Sequence, residues 1–279
     1  MPAESPTVIQ DGMESTRRPD GQRRNTGSAV WAPLAFVAAL IVAWEITVRV
    51  TNARPQVLPA PSRVLTSGWD QRTTILEHTL ATLGVTAAGF ALSLACAWAI
   101  AIVADFFPAF RRGLMPILVA SQTLPVVAIA PLMVIWFGFG LWPKMLVVAL
   151  VTFFPVAIGL IEGFASADGG ASRLLRSMGA SRTRTFLLVR LPSALPGFFT
   201  ALRIGITYAV TGAIFAEYVG ARHGLGIYMS VQKNAFRTDL VLAAVAVAAV
   251  ASIGLYLSTY LIERAVIPWH TKQRKNAQT

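Results

Sequence analysis

The chain has 279 residues, 55% hydrophobic and only 13% charged, with a formal net charge of +11. A soluble domain carries about 25% charged residues, so the composition excludes an ordinary globular domain, and a mean hydropathy of +0.60 points to a membrane protein. In such a chain the positive excess reads as topology, because basic residues collect in cytoplasmic loops; no nucleic-acid partner is expected.

Residues 1–29 are polar and rich in Pro, Gly, Ser and Arg, and read as a disordered cytoplasmic tail. Twin arginines in "TRRPD" and "QRRNT" raise a secretion signal. The following run, 30–48, is longer than a signal's apolar region and more spans follow. It is taken as an additional N-terminal transmembrane helix. Segment 49–78 reads as external or interfacial: "RPQVLPAPS" is extended, and "SRVLTSGWDQRTTIL" has the pattern of an amphipathic helix on the membrane surface, with Trp69 as a belt residue.

The second span, Leu80–Ala104, is uncharged and contains the single cysteine, Cys96, which is read as a packed core thiol and can form no intrachain disulfide. The third, Leu114–Phe137, is the most informative. Ser121, Gln122 and Thr123 precede Pro125, which lies about 16 Å into a helix begun at Leu114. That depth is near the middle of a hydrocarbon core of about 30 Å. Proline breaks the helix, and broken helices at mid-depth occur where they line a cavity. These residues are pore-lining candidates; the alternative is a packing kink with Gln122 bonded between helices. The fourth span, Met145–Ile161, is short.

The segment 162–195 that follows is basic yet helical in pattern. Leu174, Leu175 and Met178 share one face of a short helix. Gly179 suits its C-terminal cap. Ala180 and Ser181 come next, with Ser181 able to cap a second helix that Pro192 ends. Exposed apolar faces on such a loop read as a docking surface.

In the fifth span, Gly197–Ala216, the residues Arg203, Thr207, Tyr208 and Thr211 form one polar stripe. Arg203, about 10 Å from the inner end, either lines an inner gate or snorkels inward. Glu217, about 30 Å beyond Gly197, belongs at the outer mouth. It is either a contact for an external partner or gate, or a carboxylate paired with Arg222. "RHGLG" is a turn before a short re-entrant or interfacial piece. The sixth span is Leu240–Ile262, and residues 265–279 are a cytoplasmic tail.

With the N-terminus inside, fifteen Lys and Arg fall on the inside segments and eight on the outside, with Arg203 within a span. This supports an all-α, six-span membrane protein with both termini cytoplasmic. His78, His223 and His270 have no metal-ligand spacing. No metal, cofactor or catalytic residue is expected.

Gly179, nine residues, then Val189-Arg190-Leu191-Pro192 resembles the second half of the EAA loop of ATP-binding-cassette (ABC) importer permeases. Arg173, Leu174 and Leu175 stand where that family has Glu-Ala-Ala. "VLPAPSRVL", "SQTLPVVAIAPLMVIWFGFG", "FFPVAIGLIEG", "RSMGAS" and "GLGIYM" together resemble nitrate/sulfonate/taurine-type permeases, and within these the permeases for thiamine-pyrimidine precursors and other heterocycles. The resemblance implies a type I (MetI-like) importer permease over 79–264 in the inner membrane. It implies a second permease copy, expected as a homodimer, two ATPase subunits on the loops, an external solute-binding protein and contact with membrane lipid. Arg173, Leu174, Leu175, Met178, Gly179, Ala180, Ser181, Val189, Leu191 and Pro192 are then the ATPase-coupling candidates. The chain has no G-x-x-x-x-G-K-[ST] phosphate loop, so the ATPase is another polypeptide. Alternatives are an anion importer of the sulfonate/nitrate/taurine type and a secondary transporter. Against the latter, no acidic residue lies at mid-depth and no inverted repeat is visible.

Overall fold

The structure is a computed structural model and describes residues 28–268. Of the tails expected at 1–29 and 265–279, residues 1–27 and 269–279 lie outside the described residues, whereas 28–29 open the first helix and 265–266 close the last. The described part is built from eleven α-helices: α1 Ser28–Thr51, α2 Pro61–Asp70, α3 Arg72–Phe106, α4 Pro108–Ser121, α5 Val126–Phe137, α6 Leu141–Ala165, α7 Gly169–Ser177, α8 Arg182–Thr185, α9 Leu191–Tyr218, α10 Leu225–Asn234 and α11 Thr238–Val266. Helices satisfy their own backbone in lipid, which is why apolar runs of this length take that form.

Five of these segments are long and apolar enough to cross a membrane, or six if α4 and α5, bent by 103°, form one broken span. The packing decides that the pair traverses. Val85 of α3 meets Val148 of α6, while Ala97, Ala101 and Ala104 meet Val156, Leu160 and Phe164. So α3 and α6 run in the same direction, and the intervening pair must carry the chain from one end of the bundle back to the other. α9 runs against α6. Gly163 lies on Ala194, Gly159 on Ala201, and Gly205 on Val156. These small residues bring the two backbones close, the usual way helices associate where lipid is as apolar as the side chains.

α1 touches the bundle at its C-terminal end, where Glu45 accepts from the Ser62 N–H (3.0 Å) and hydroxyl (2.8 Å). Most of its apolar side chains, Leu34, Phe36 and Leu40 among them, are exposed.

Three expectations change. The stretch 62–76 is not one surface helix: α2 ends at Asp70 and docks through Val64 onto α10 and α11, while the remainder opens span α3. The burial of Val64 outweighs a surface position, although Leu65 and Trp69 stay exposed. Cys96 is exposed rather than packed, because an apolar position on a membrane helix is as well served by lipid as by a core. Finally, Pro192 does not end a short helix. Residues Arg182–Tyr218 form one continuous helical rod. A π-helical turn, Phe186–Arg190, lets the Leu191 N–H reach back five residues to the Phe186 carbonyl, and this wider turn accommodates the proline that follows.

Candidate functional site

The loop after α6 has a fixed tip and an anchored base. Asp168 caps α7 by accepting the Gly170 N–H at 2.7 Å. At the other end the Ala180 N–H donates to the Leu175 carbonyl and the Gly179 N–H to the Arg176 carbonyl, both at 3.0 Å. That pair of bonds is the Schellman motif, and Gly179 supplies its left-handed residue with φ +83°. A Cβ there would meet no atom within 4 Å, so the glycine is required for its dihedral and not for space. Ser181 then caps the rod, its Oγ accepting the Arg184 N–H at 3.2 Å.

α7 buries none of its residues: Leu174 and Met178 are exposed, as is Arg173, and Leu175 and Ala180 are half-buried. The base is held firmly. Phe186 packs against Phe164 and Phe106, with ring centroids 5.1 and 5.6 Å away. Arg190 donates to Asp105 at the end of α3. Val189, Leu191 and Pro192 are half-buried around this anchor.

The broken span brings two separately predicted sets of residues together. Two cavities flank the α4–α5 break. One, of about 260 Å³, is lined by Ser121, Gln122, Pro155, Ile204 and Tyr208 among others. The second, of about 650 Å³, lies toward the loop and is lined by Gln122, Glu162, Thr200, Arg203 and Glu263 among others. Gln122 borders both. The Ser121 and Thr123 hydroxyls are committed to their own backbone, donating to the Ile117 and Ala120 carbonyls at 2.7 Å. Pro125 is the extended residue that starts α5. On α9, Thr207 and Thr211 are exposed, and the Thr207 hydroxyl donates to the Arg203 carbonyl.

Arg203 neither snorkels nor stands free. Its Nη1 donates to Glu263 Oε2 of α11 at 2.9 Å, and both side chains are mostly buried. Nothing local in the sequence joins these residues, which lie 60 positions apart.

The expected outer-mouth carboxylate is also something else. Glu217 is fully buried and does not pair with Arg222. Its Oε2 accepts from the Thr82 hydroxyl (3.0 Å) and the Gly226 N–H (2.9 Å). Thr82 in turn accepts the Leu225 N–H at 2.8 Å, and His78 Nδ1 accepts the Gly224 N–H at 2.9 Å. α3 and α9 together thus cap the start of α10. A Cβ on Gly224 would lie 2.2 Å from the Glu217 carboxyl carbon, so only glycine fits. Nearby, the Tyr228 ring sits 5.2 Å from His78, and burial raises its phenol above the ordinary value. Arg222 is exposed and lines, with His223 and Lys144, a cavity of about 670 Å³ at the end of the bundle opposite the loop.

Residues 89–272 match the family described as "Binding-protein-dependent transport system inner membrane component". The chain belongs to that family of permeases. It is similar to the formylaminopyrimidine transport permease ThiX of Halalkalibacterium halodurans, 34% identical over 242 residues that cover 86% of this chain and 96% of the relative. It is similar also to the riboflavin transport permease RibX of Chloroflexus aurantiacus, 35% identical over 82% of this chain and 87% of the relative. The taurine transport permease TauC of Escherichia coli is 32% identical, over 85% of this chain and 89% of the relative. Among solved structures, an amino acid ABC transporter superposes with a TM-score of 0.59 at 17% identity, over 72% of this chain and 97% of the other. The methionine transporter MetNI does so with a TM-score of 0.57 at 19% identity, over 72% and 98%. These confirm the MetI-like fold.

The permease is therefore a multi-pass transport subunit of an ABC importer, not an enzyme. The family implies an ATPase and a solute-binding protein as its partners.

Proposed function

We propose that this permease forms, with a second copy of itself, a membrane pore that imports a small uncharged or weakly charged nitrogen heterocycle of the formylaminopyrimidine kind. The observation that carries the reading is the position of Gln122 at the border of the two cavities, facing Tyr208 on one side and the Arg203–Glu263 pair on the other. An amide that donates and accepts, beside a phenol, suits ring nitrogens and carbonyls. Among the described residues, the only cation lining either cavity is Arg203, and Glu263 pairs with it. A sulfonate or nitrate would find no free positive charge there, which favours the ThiX-like and RibX-like substrates over the taurine-like one.

The ATPase docks on the exposed face of α7, around Leu174 and Met178, and the Schellman turn at Gly179 fixes the angle of that helix to the rod. The excess of basic residues at this end supports a cytoplasmic position for it and for both termini. The cavity that Arg222 lines faces the external binding protein. Glu217 sits behind that surface as a strut for α10. No cofactor is proposed for this chain.

The test is uptake into proteoliposomes containing the permease and the ATPase that co-purifies with it, fed by the loaded binding protein. ATP-dependent uptake of labelled formylaminopyrimidine, undiminished by excess taurine, is the expected result. Uptake of taurine in preference, or uptake without ATP, overturns the assignment.

A further inference from the structure

Beside the coupling loop, between the start of α4, α7 and the rod, lies a cavity of about 330 Å³ that the transport reading does not use. Arg111, Arg176, Arg182 and Arg190 line it, with Asp105 as its single carboxylate. Asp105 is taken by Arg190. The side chains of Arg111, Arg176 and Arg182 make no hydrogen bond or ion pair among the described residues, so three guanidinium groups from three different helices line one space without a free anion. Topological sorting accounts for arginines at this end of the bundle, but not for their convergence on one cavity.

The surroundings define the ligand. Phe106 and Pro108 form part of the wall, and Phe107 and Phe110 beside them are exposed apolar side chains. The cavity opens where the broken span α4 leaves the end of α3, at the border between apolar bundle and basic loop. A ligand with an anionic head and an apolar body matches both surfaces. Arginine binds phosphate oxygens through paired N–H donors, and basic pockets between membrane helices hold acidic lipid headgroups. We propose that this cavity binds the phosphate of an acidic phospholipid, such as phosphatidylglycerol or cardiolipin. The bound lipid bridges α4 to the base of the coupling loop.

The probe is native mass spectrometry and thermal melting of the purified full chain in detergent, with phosphatidylglycerol, cardiolipin, phosphatidylcholine or inorganic phosphate added, alongside detergent pull-down of the ATPase. The wild type retains acidic lipid in preference to phosphatidylcholine and melts at higher temperature with it. Each of Arg111→Gln and Arg182→Gln lowers acidic-lipid binding by about fivefold, from a surface arginine's share of the attraction. Lys233→Gln, at the opposite end, leaves it unchanged. Melting without lipid monitors folding of each variant. Undiminished binding in both arginine variants overturns the proposal. Equal protection by inorganic phosphate overturns the lipid source in favour of a free anion. Loss of ATPase capture in the same variants, with lipid retention unchanged, overturns it in favour of a carboxylate on the ATPase.

Discussion

Glu217 accepts the Gly226 N–H at 2.9 Å and so ties the last turn of α9 to the first turn of α10. The bond places a buried carboxylate at a helix N-terminus, where unpaired N–H groups and the helix dipole favour negative charge. With Thr82 and His78 contributing from α3, three helices at the end opposite the coupling loop are joined at one point. Glu217→Ala leaves the buried Gly226 N–H without its acceptor, while the Thr82 hydroxyl keeps the His78 carbonyl, and should lower stability by about 1–3 kcal/mol. Glu217→Gln keeps an acceptor oxygen and should cost less. Thermal melts of the detergent-solubilised protein check both; a carboxylate serving only a partner protein would leave the melting point where it was.

The Gln122 side chain has no hydrogen-bond partner among the described residues and lines two cavities. Gln122→Leu should therefore reduce substrate uptake without shifting the melting temperature. A loss of stability of roughly a kcal/mol with normal uptake per folded molecule would assign Gln122 to helix packing instead.

Arg203 and Glu263 join α9 to α11 across the inner cavity. Arg203→Leu and Glu263→Leu should each destabilise the protein by about 1.5–3 kcal/mol, the range for a hydrogen bond to a charged group. The double leucine variant should be less damaged than the two singles added together, because it strands neither charge. Additive losses across the cycle would show that the two side chains do not interact.

The spans were legible in the sequence because lipid imposes one local rule, a long apolar run in a helix, and each run carries it by itself. The break at Pro125 and the turn at Gly179 were legible for a similar reason: proline and glycine act on their own backbone. What failed depended on distant chain. Glu217 reads as a surface carboxylate until Thr82, 135 residues earlier, is brought against it. The Arg190–Asp105 and Arg203–Glu263 pairs span 85 and 60 positions. Pro192 misled because a local rule, that proline stops a helix, was overridden by a π turn whose neighbouring Phe186 and Arg190 are held by the bundle.

That override matters for coupling. Had Pro192 ended a short helix, the loop would be a separate plug resting on the bundle. Instead the residue after the Gly179–Ala180 corner, Ser181, caps a rod of 37 residues, Arg182–Tyr218, that runs from the loop past Arg203 and Tyr208 to Glu217. If the ATPase docks on α7 as proposed, movement of that helix would reach the wall of the cavities through one helix. Gly179 is the weak joint of that lever, since its φ of +83° is costly for any residue with a Cβ. Gly179→Val should leave membrane insertion intact, because no span changes, and should reorient α7 enough to lose ATPase capture or the stimulation of hydrolysis by loaded binding protein. Gly179→Ala, without the branched Cβ, should be milder. Detergent pull-down of the ATPase and stimulated hydrolysis in nanodiscs measure the two effects. Wild-type coupling in Gly179→Val would mean that the loop's arginines serve orientation alone.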